Sequence, residues 1–442
     1  MRGVFVSAPA SRVRWLLVFW LFLLSAISFL DRVNISIAGN SLAEEYGLSP
    51  VRLGWVFSAF LLGYALFQTP GGWLVDRLGP RRVLAGGVVW WGIFTALTAS
   101  LPTKVAGAVA IFITVRFLLG AGEAIMYPST NKFVSQWIPS QERGKANGLI
   151  FAGVGAGAGT APALVTFIMV HYGWRASFWV SAVLGLVAGL VWYWIARDKP
   201  EEHPAVRPGE LELIQENRGR LAGQTAQGVA GAEKSGSTWK HILTSKSVLA
   251  VTASYFCFGY VAWIFFSWFY IYLAKVRGLD LKSSAFYSTL PPLAIVLCSL
   301  CGGLLNDALS KSHGKRIGRC GIGFAALLLA AGFMVMGSRA ASPSLASIVL
   351  SGGAGALYLA QSSYWSVTAD ISGKVAGSVS GFMNMGAQLG GALTASLTPA
   401  IAQEYGWNAS FFVAAVLSVA GGLAWLLVDP NRPVIAAEEL PH

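Results

Sequence analysis

The sequence predicts an all-α polytopic membrane protein with twelve transmembrane helices in two six-helix bundles. Three observations predict it. The 442 residues are 55% hydrophobic and only 12% charged, where soluble domains carry about 25% charged residues; the mean hydropathy is +0.59. Twelve apolar runs, each long enough to cross a bilayer, are divided six and six by a polar stretch. The two sets of six also repeat one another.

The runs fall near 15–38, 53–75, 83–101, 105–127, 145–170 and 176–196, then near 248–274, 286–306, 318–337, 345–368, 375–401 and 409–428. The expected units are an N-terminal bundle over 1–196, a linker over 197–247 and a C-terminal bundle over 248–442. The first run follows Arg12 and Arg14, as in a signal peptide. It has no small-residue cleavage site and meets Asp31-Arg32 at once, so an uncleaved first span is expected. In the linker, Pro208 opens a short amphipathic helix. Residues 222–237, rich in Ala, Gly, Gln and Ser, read as a flexible tether.

The repeat is direct. Tyr172-Gly-Trp-Arg-Ala-Ser-Phe-Trp-Val-Ser-Ala-Val-Leu184 matches Tyr405-Gly-Trp-Asn-Ala-Ser-Phe-Phe-Val-Ala-Ala-Val-Leu417 at 10 of 13 positions, offset by 233. At the same offset Gly148, Gly153 and Gly157 match Gly381, Gly386 and Gly390. An even number of spans separates the copies, so they run the same way, as in a parallel repeat about the membrane normal.

A net charge of +12 could point to nucleic acid, but its distribution does not. With both termini in the cytoplasm, 22 Lys and Arg fall inside and seven outside, leaving Arg32, Arg116 and Lys132 in or near spans. That bias fixes topology and explains the charge without a nucleic-acid partner. Lys132, near the inner end of the fourth span, is expected to snorkel to the interface. The expected location is a plasma membrane, the bacterial inner membrane. No metal or other cofactor is expected: Cys298 and Cys301 form a CxxC inside an apolar run with no second pair, and read as packing residues. No Ser-His-Asp set, metal cluster or phosphate loop points to an enzyme.

Charge inside the apolar runs marks the expected site. Ile113-Thr-Val-Arg116-Phe-Leu-Leu-Gly-Ala-Gly-Glu123 sets an Arg and a Glu seven residues apart, about two helical turns or roughly 10 Å along one face. Buried charge at such depth is costly and by default marks a transport path or proton relay. Asp31 and Arg32 lie in the first span at a depth that allows Asp31 to pair with Arg116. Desolvation disfavours an ionised carboxylate and a guanidinium favours it, so wetting and closing a cavity can load and unload a proton. Arginine keeps its charge and offers a fork to a carboxylate. Two permanent cations with two titratable acids suit an organic anion travelling with protons. The competing reading is a static ion-pair network between spans one and four. The second copy has no charge at this depth, only neutral polar groups: Gln361 to Thr368, and Asn384 with Gln388 on one helix face. Helix–helix adhesion competes as a role for Ser362, Trp365, Asn384 and Gln388.

Gly72-Trp-Leu-Val-Asp76-Arg77-Leu-Gly79-Pro-Arg81-Arg82, between spans two and three, resembles the signature of the major facilitator superfamily. Phe29-Leu-Asp31-Arg32-Val-Asn34, Arg116 to Glu123 and Gln136-Trp137-Ile-Pro-Ser-Gln-Glu142-Arg143 resemble its anion:cation symporter branch, which includes hexuronate, galactonate and glucarate importers and sialic-acid carriers. The resemblance implies the major facilitator fold, a cytoplasmic gate at Asp76 and Arg77, and substrate contacts at Tyr64, Trp365 and Asn384. Gly303-Leu-Leu-Asn-Asp307 keeps the Gly and the acid of the gate motif without the adjacent Arg. Tyr255 stands where a galactonate-type carrier has an amide, which opens the site to ring-bearing uronates or aromatic acids.

The expected function is therefore proton-coupled import of a small organic anion, a hexuronate or aldonate, by alternating access. Asp31 and Glu123 are the expected proton sites. Arg32, Arg116, Tyr64, Tyr255, Ser362, Trp365, Asn384 and Gln388 are the expected substrate contacts. Import of an aromatic or other carboxylate, or proton-coupled drug export, are the alternatives. The expected partners are the anion, protons and the lipid bilayer, and the expected state is a monomer.

Overall fold

The structure, a computed structural model, describes residues 11–48, 50–103, 107–223, 235–279 and 281–435. Among them every regular element is a helix. In chain order these are α1 (Val13–Tyr46), α2 (Pro50–Leu78), α3 (Pro80–Ser100), α4 (Ala108–Glu123), α5 (Met126–Trp137), α6 (Arg143–Tyr172) and α7 (Trp174–Ile195). Two helices follow in the polar stretch, α8 (Pro208–Gly223) and α9 (Ser235–Thr244). Then come α10 (Lys246–Ser267), the short α11 (Phe269–Ile271) and α12 (Leu281–Tyr287), α13 (Leu290–His313), α14 (Ile322–Arg339), α15 (Pro343–Leu359), α16 (Gln361–Ser372), α17 (Ala376–Tyr405) and α18 (Trp407–Ala424).

Among the described residues, eleven helical stretches are long and apolar enough to cross a membrane. One of them, Pro343–Tyr405, runs for 63 residues and contains α15, α16 and α17. Pro208 does open a helix. The 222–237 segment lies mostly outside the described residues, and its two ends belong to α8 and α9.

The internal repeat is carried into the helices. Both α6 and α17 are 30 residues long, and each ends on a glycine that starts the next helix. Gly173 has φ 79° and Gly406 has φ 83°, a region that side chains with a Cβ rarely enter. The packing repeats too: α1 lies on α6 as α10 lies on α17, α2 on α4 as α13 on α15, and α3 on α7 as α14 on α18. Across the two copies, α6 packs on α13 and α17 packs on α2. Glycines permit those crossings. A Cβ on Gly72 would meet the backbone of Gly377, and one on Gly148 would meet the carbonyl of Ser299 at 2.5 Å.

Several stretches expected as single spans are interrupted, and two of these breaks adjoin buried polar residues. The fourth turns at Ala124–Ile125, between α4 and α5, immediately after Glu123. The tenth turns at Ala360, between α15 and α16, immediately before Gln361. Apolar composition runs through both turns, so hydropathy carries no sign of them. Each break sets a polar side chain at the end of a half-helix in the protein interior.

Candidate functional site

α1, α2, α5, α6, α10, α15, α16 and α17 enclose a cavity of about 50 Å³ between the two copies. Its wall is mostly aromatic, and Arg32 is the one charged side chain on it among the described residues. Arg32 Nε donates to Glu123 Oε1 at 2.7 Å, and the Ser28 hydroxyl donates to the same oxygen. The guanidinium lies over the ring of Tyr64 at 4.2 Å and of Phe29 at 4.8 Å, so cation–π attraction helps hold it there. Its Nη2 has no hydrogen-bond partner in the protein.

Asp31 and Arg116 lie behind this pair. Asp31 is 3% exposed and accepts from Thr95 Oγ1 of α3 at 2.7 Å, with its other oxygen unpartnered in the protein. Arg116 packs against Phe60 at 5.0 Å, and its Nε has no partner in the protein. The pairing expected between Asp31 and Arg116 is not made; Glu123 takes Arg32 and Asp31 takes Thr95. Sequence depth places a residue along a helix but not its rotation about the axis, and here rotation decided the partners. Neither Asp31, Glu123 nor Arg116 lines the cavity itself.

From the second copy, Tyr255, Gln361, Trp365, Asn384 and Gln388 line the opposite wall. The Tyr255 hydroxyl accepts from Gln361 Nε2 at 2.8 Å and from Trp365 Nε1 at 3.1 Å. Gln361 Oε1, Asn384 Nδ2, Gln388 Oε1 and the hydroxyl of Tyr64 have no partner in the protein. A buried polar atom left so costs about 1–3 kcal/mol, and several converging on one cavity are what a polar ligand would satisfy. Ser362 is fully buried but does not reach the cavity. Tyr127 and Phe151, stacked at 5.0 Å, complete the floor. Tyr127, Ser28 and Thr95 escaped the sequence reading as site residues, because only contacts across helices distinguish them from packing residues.

Away from the cavity, the copies are fastened by two matching caps. Asp76, at the end of α2, accepts from Gly377 N at 3.0 Å and from Ser378 N at 2.7 Å, the first turn of α17. Asp307, near the end of α13, accepts from Gly144 N at 2.8 Å and Lys145 N at 2.7 Å, the first turn of α6. A carboxylate at a helix N-terminus satisfies open N–H groups and the macrodipole together. The second copy of the motif is thus complete in structure, since the cap needs only the acid and the close glycine. Each cap has a cation: Lys132 Nζ on Asp76 at 2.8 Å, and Arg319 Nη1 on Asp307 at 3.2 Å. Lys132 also donates to the Lys374 carbonyl and is 5% exposed, so it does not snorkel to the surface as expected. Desolvated beside an acid, it holds the seam instead. Arg77 is exposed and lies over Trp73 at 5.4 Å; among the described residues no ion pair joins it to Asp76. Asp370 adds a buried node, bonded to Arg143 at 2.5 Å and to Ser140 at 3.0 Å. Between these caps and the cavity, Asn131 bonds Thr368 and Asn147 bonds Ser366 across the copies.

The Major Facilitator Superfamily pattern matches residues 21–395. A probable sulfoacetate transporter of Cupriavidus necator is 32% identical over 415 residues, 93% of each chain. A probable galactarate/D-glucarate transporter of Bacillus subtilis is 31% identical over 316 residues, 70% of this chain and 69% of that one. A chloroplastic sodium-dependent phosphate transport protein of Arabidopsis thaliana is 30% identical over 428 residues, covering 96% of this chain and 80% of its own. The structure of a proton:xylose symporter bound to 6-bromo-6-deoxy-D-glucose superposes with a TM-score of 0.75 at 16% identity, over 92% of this chain and 94% of that one. The chain therefore belongs to the major facilitator superfamily, as a multi-pass membrane transporter and not an enzyme, among relatives of the anion:cation symporter branch.

Proposed function

We propose that the protein imports a small organic anion, a sugar acid such as a hexuronate or aldonate, together with protons by alternating access. The observation that carries this reading is Arg32 on the cavity wall, paired with Glu123 behind it and keeping its Nη2 without a partner in the protein. A carboxylate arriving at that atom competes with Glu123 for Arg32. Protonating Glu123 releases the guanidinium, so substrate and proton favour each other's binding. Asp31 is the second proton site, tuned by Thr95 and by the charges of Arg116 and Glu123 around it. Arg116 sets the field behind the site, and Tyr64, Tyr255, Trp365, Asn384 and Gln388 hold the body of the substrate. Ser362 supports the α16 wall from behind.

In this reading the 63-residue stretch Pro343–Tyr405 folds back once, giving twelve spans in two six-helix bundles, 1–196 and 248–442, with 197–247 as the linker. The excess of Lys and Arg supports both termini in the cytoplasm of a bacterial cell. Asp76 and Asp307 then form the cytoplasmic gate, with Arg77 flanking it at the membrane surface, and the protein works as a monomer. The relatives named for sulfoacetate and galactarate/D-glucarate support an organic anion as cargo.

Proteoliposomes loaded with the protein test the reading. Uptake of a labelled sugar acid should rise when the outside is acidified, and Glu123→Gln should abolish gradient-driven accumulation while leaving exchange of substrate across the membrane. Accumulation that ignores the pH gradient, or that survives Glu123→Gln, removes the proposed coupling.

A further inference from the structure

The two poles of the cavity differ in charge. At one pole Arg32 has Nε committed to Glu123 and Nη2 unpartnered in the protein. Arg116, the other interior cation nearby, is 2% exposed and does not line the cavity. One guanidinium with an unpartnered donor matches one carboxylate. At the other pole stand only neutral amides: Gln361, Asn384 and Gln388. Their fully buried unpartnered atoms are Gln361 Oε1, Gln388 Oε1 and Asn384 Nδ2, and a terminal amide offers both a donor and an acceptor. Hydroxyls suit that set, because they donate and accept. A second carboxylate suits it less, because it only accepts and no cation among the described residues lines this pole. Its desolvation would go uncompensated.

The side walls are flat. Phe151 is stacked on Tyr127 at 5.0 Å with an interplanar angle of 17°, and the Trp365 ring lies 5.1 Å from Phe151. Rings packed together in this way make an aromatic wall, which takes the C–H side of a pyranose or an aromatic ring.

We infer that the site selects singly charged hydroxy acids with one flat face and rejects dicarboxylates. The inference rests on the organic-anion reading above and narrows it. It also separates this chain from relatives named for galactarate and D-glucarate, whose cargo carries an acid at both ends.

The test is equilibrium binding to the purified full-length chain of four anions and a cationic dye. D-Glucuronate is the ring-forming monoanion, D-glucarate the dianion of the same carbon skeleton, and D-gluconate the open-chain monoanion. 4-Hydroxyphenylacetate is the aromatic monoanion. D-Glucuronate or the aromatic acid should bind roughly 30-fold or more tightly than D-glucarate, the size of penalty that a buried uncompensated charge brings. D-Gluconate should fall between them, separating ring from charge. Gln388→Lys supplies the missing cation and should narrow the gap by strengthening D-glucarate. D-Glucarate binding as tightly as the best monoanion overturns the inference and leaves the anion-import reading standing. Failure of all four anions to bind, with or without binding of the dye, overturns both.

Discussion

Arg32 holds two contacts that few side chains could make together. Its Nε binds Glu123, and its guanidinium lies over the ring of Tyr64. Lysine keeps the charge but has neither the fork nor the plane. Arg32→Lys should therefore raise the KM for substrate by about tenfold or more, the loss expected for one charged hydrogen bond, while the maximal rate falls less. Uptake kinetics against substrate concentration check it, and unchanged KM would mean that Arg32 is not a substrate contact. The buried charges were legible in the sequence because ionised groups in apolar runs stand out against their background. Their partners were not. Thr95 offers Asp31 a hydroxyl from a helix 64 residues away, and threonine in an apolar run reads equally well as packing.

At the scale of the element, helices cross where glycine removes the side chain. Gly148 of α6 meets Ser299 and Gly303 of α13, whereas a Cβ added to Gly86 of α3 would meet nothing within 4 Å. Gly148→Leu should cost about 1–3 kcal/mol through overpacking and lower the melting temperature in detergent. Gly86→Leu should lie within about 0.5 kcal/mol of the parent, as surface changes do. Equal melting temperatures for the two variants would show that the α6–α13 crossing is not tight. The spans themselves were readable because the requirement for some twenty apolar residues is a strong constraint. The turns after Glu123 and before Gln361 were not, since a break inside protein keeps the same hydropathy. The motif at Asp307 is also easily under-read: without an Arg beside it the acid looks degraded, yet the residues that it caps, Gly144 and Lys145, lie 163 and 162 positions away.

Across the whole molecule, the two caps are related by the internal repeat. Gly144 and Lys145 stand 233 residues before Gly377 and Ser378, the offset of the repeated sequence. Each copy gives one acid and receives one, so opening this end must break both caps and the Asn131–Thr368 and Asn147–Ser366 bonds above them. Asp76→Asn with Asp307→Asn removes both charges and should favour the state open at this end. A cysteine at Ser129, buried and without a hydrogen-bond partner in the protein, reports on it in a background where the four native cysteines are replaced. Its maleimide labelling from the Asp76 side should rise severalfold in the double variant. Unchanged labelling would place the barrier elsewhere.

One further contact of the linker bears on how the chain is made. Glu210, at the start of α8, is fully buried and accepts from the backbone N–H of Val13 and Arg14, from Arg14 Nη1 at 2.9 Å and from the hydroxyl of Ser11. The cap of α1 thus comes from a residue about two hundred positions downstream, beyond α7. During synthesis the leading turn of α1 waits for this cap until the segment that follows α7 has been made. The beginning of the chain is finished only after the first set of spans is complete.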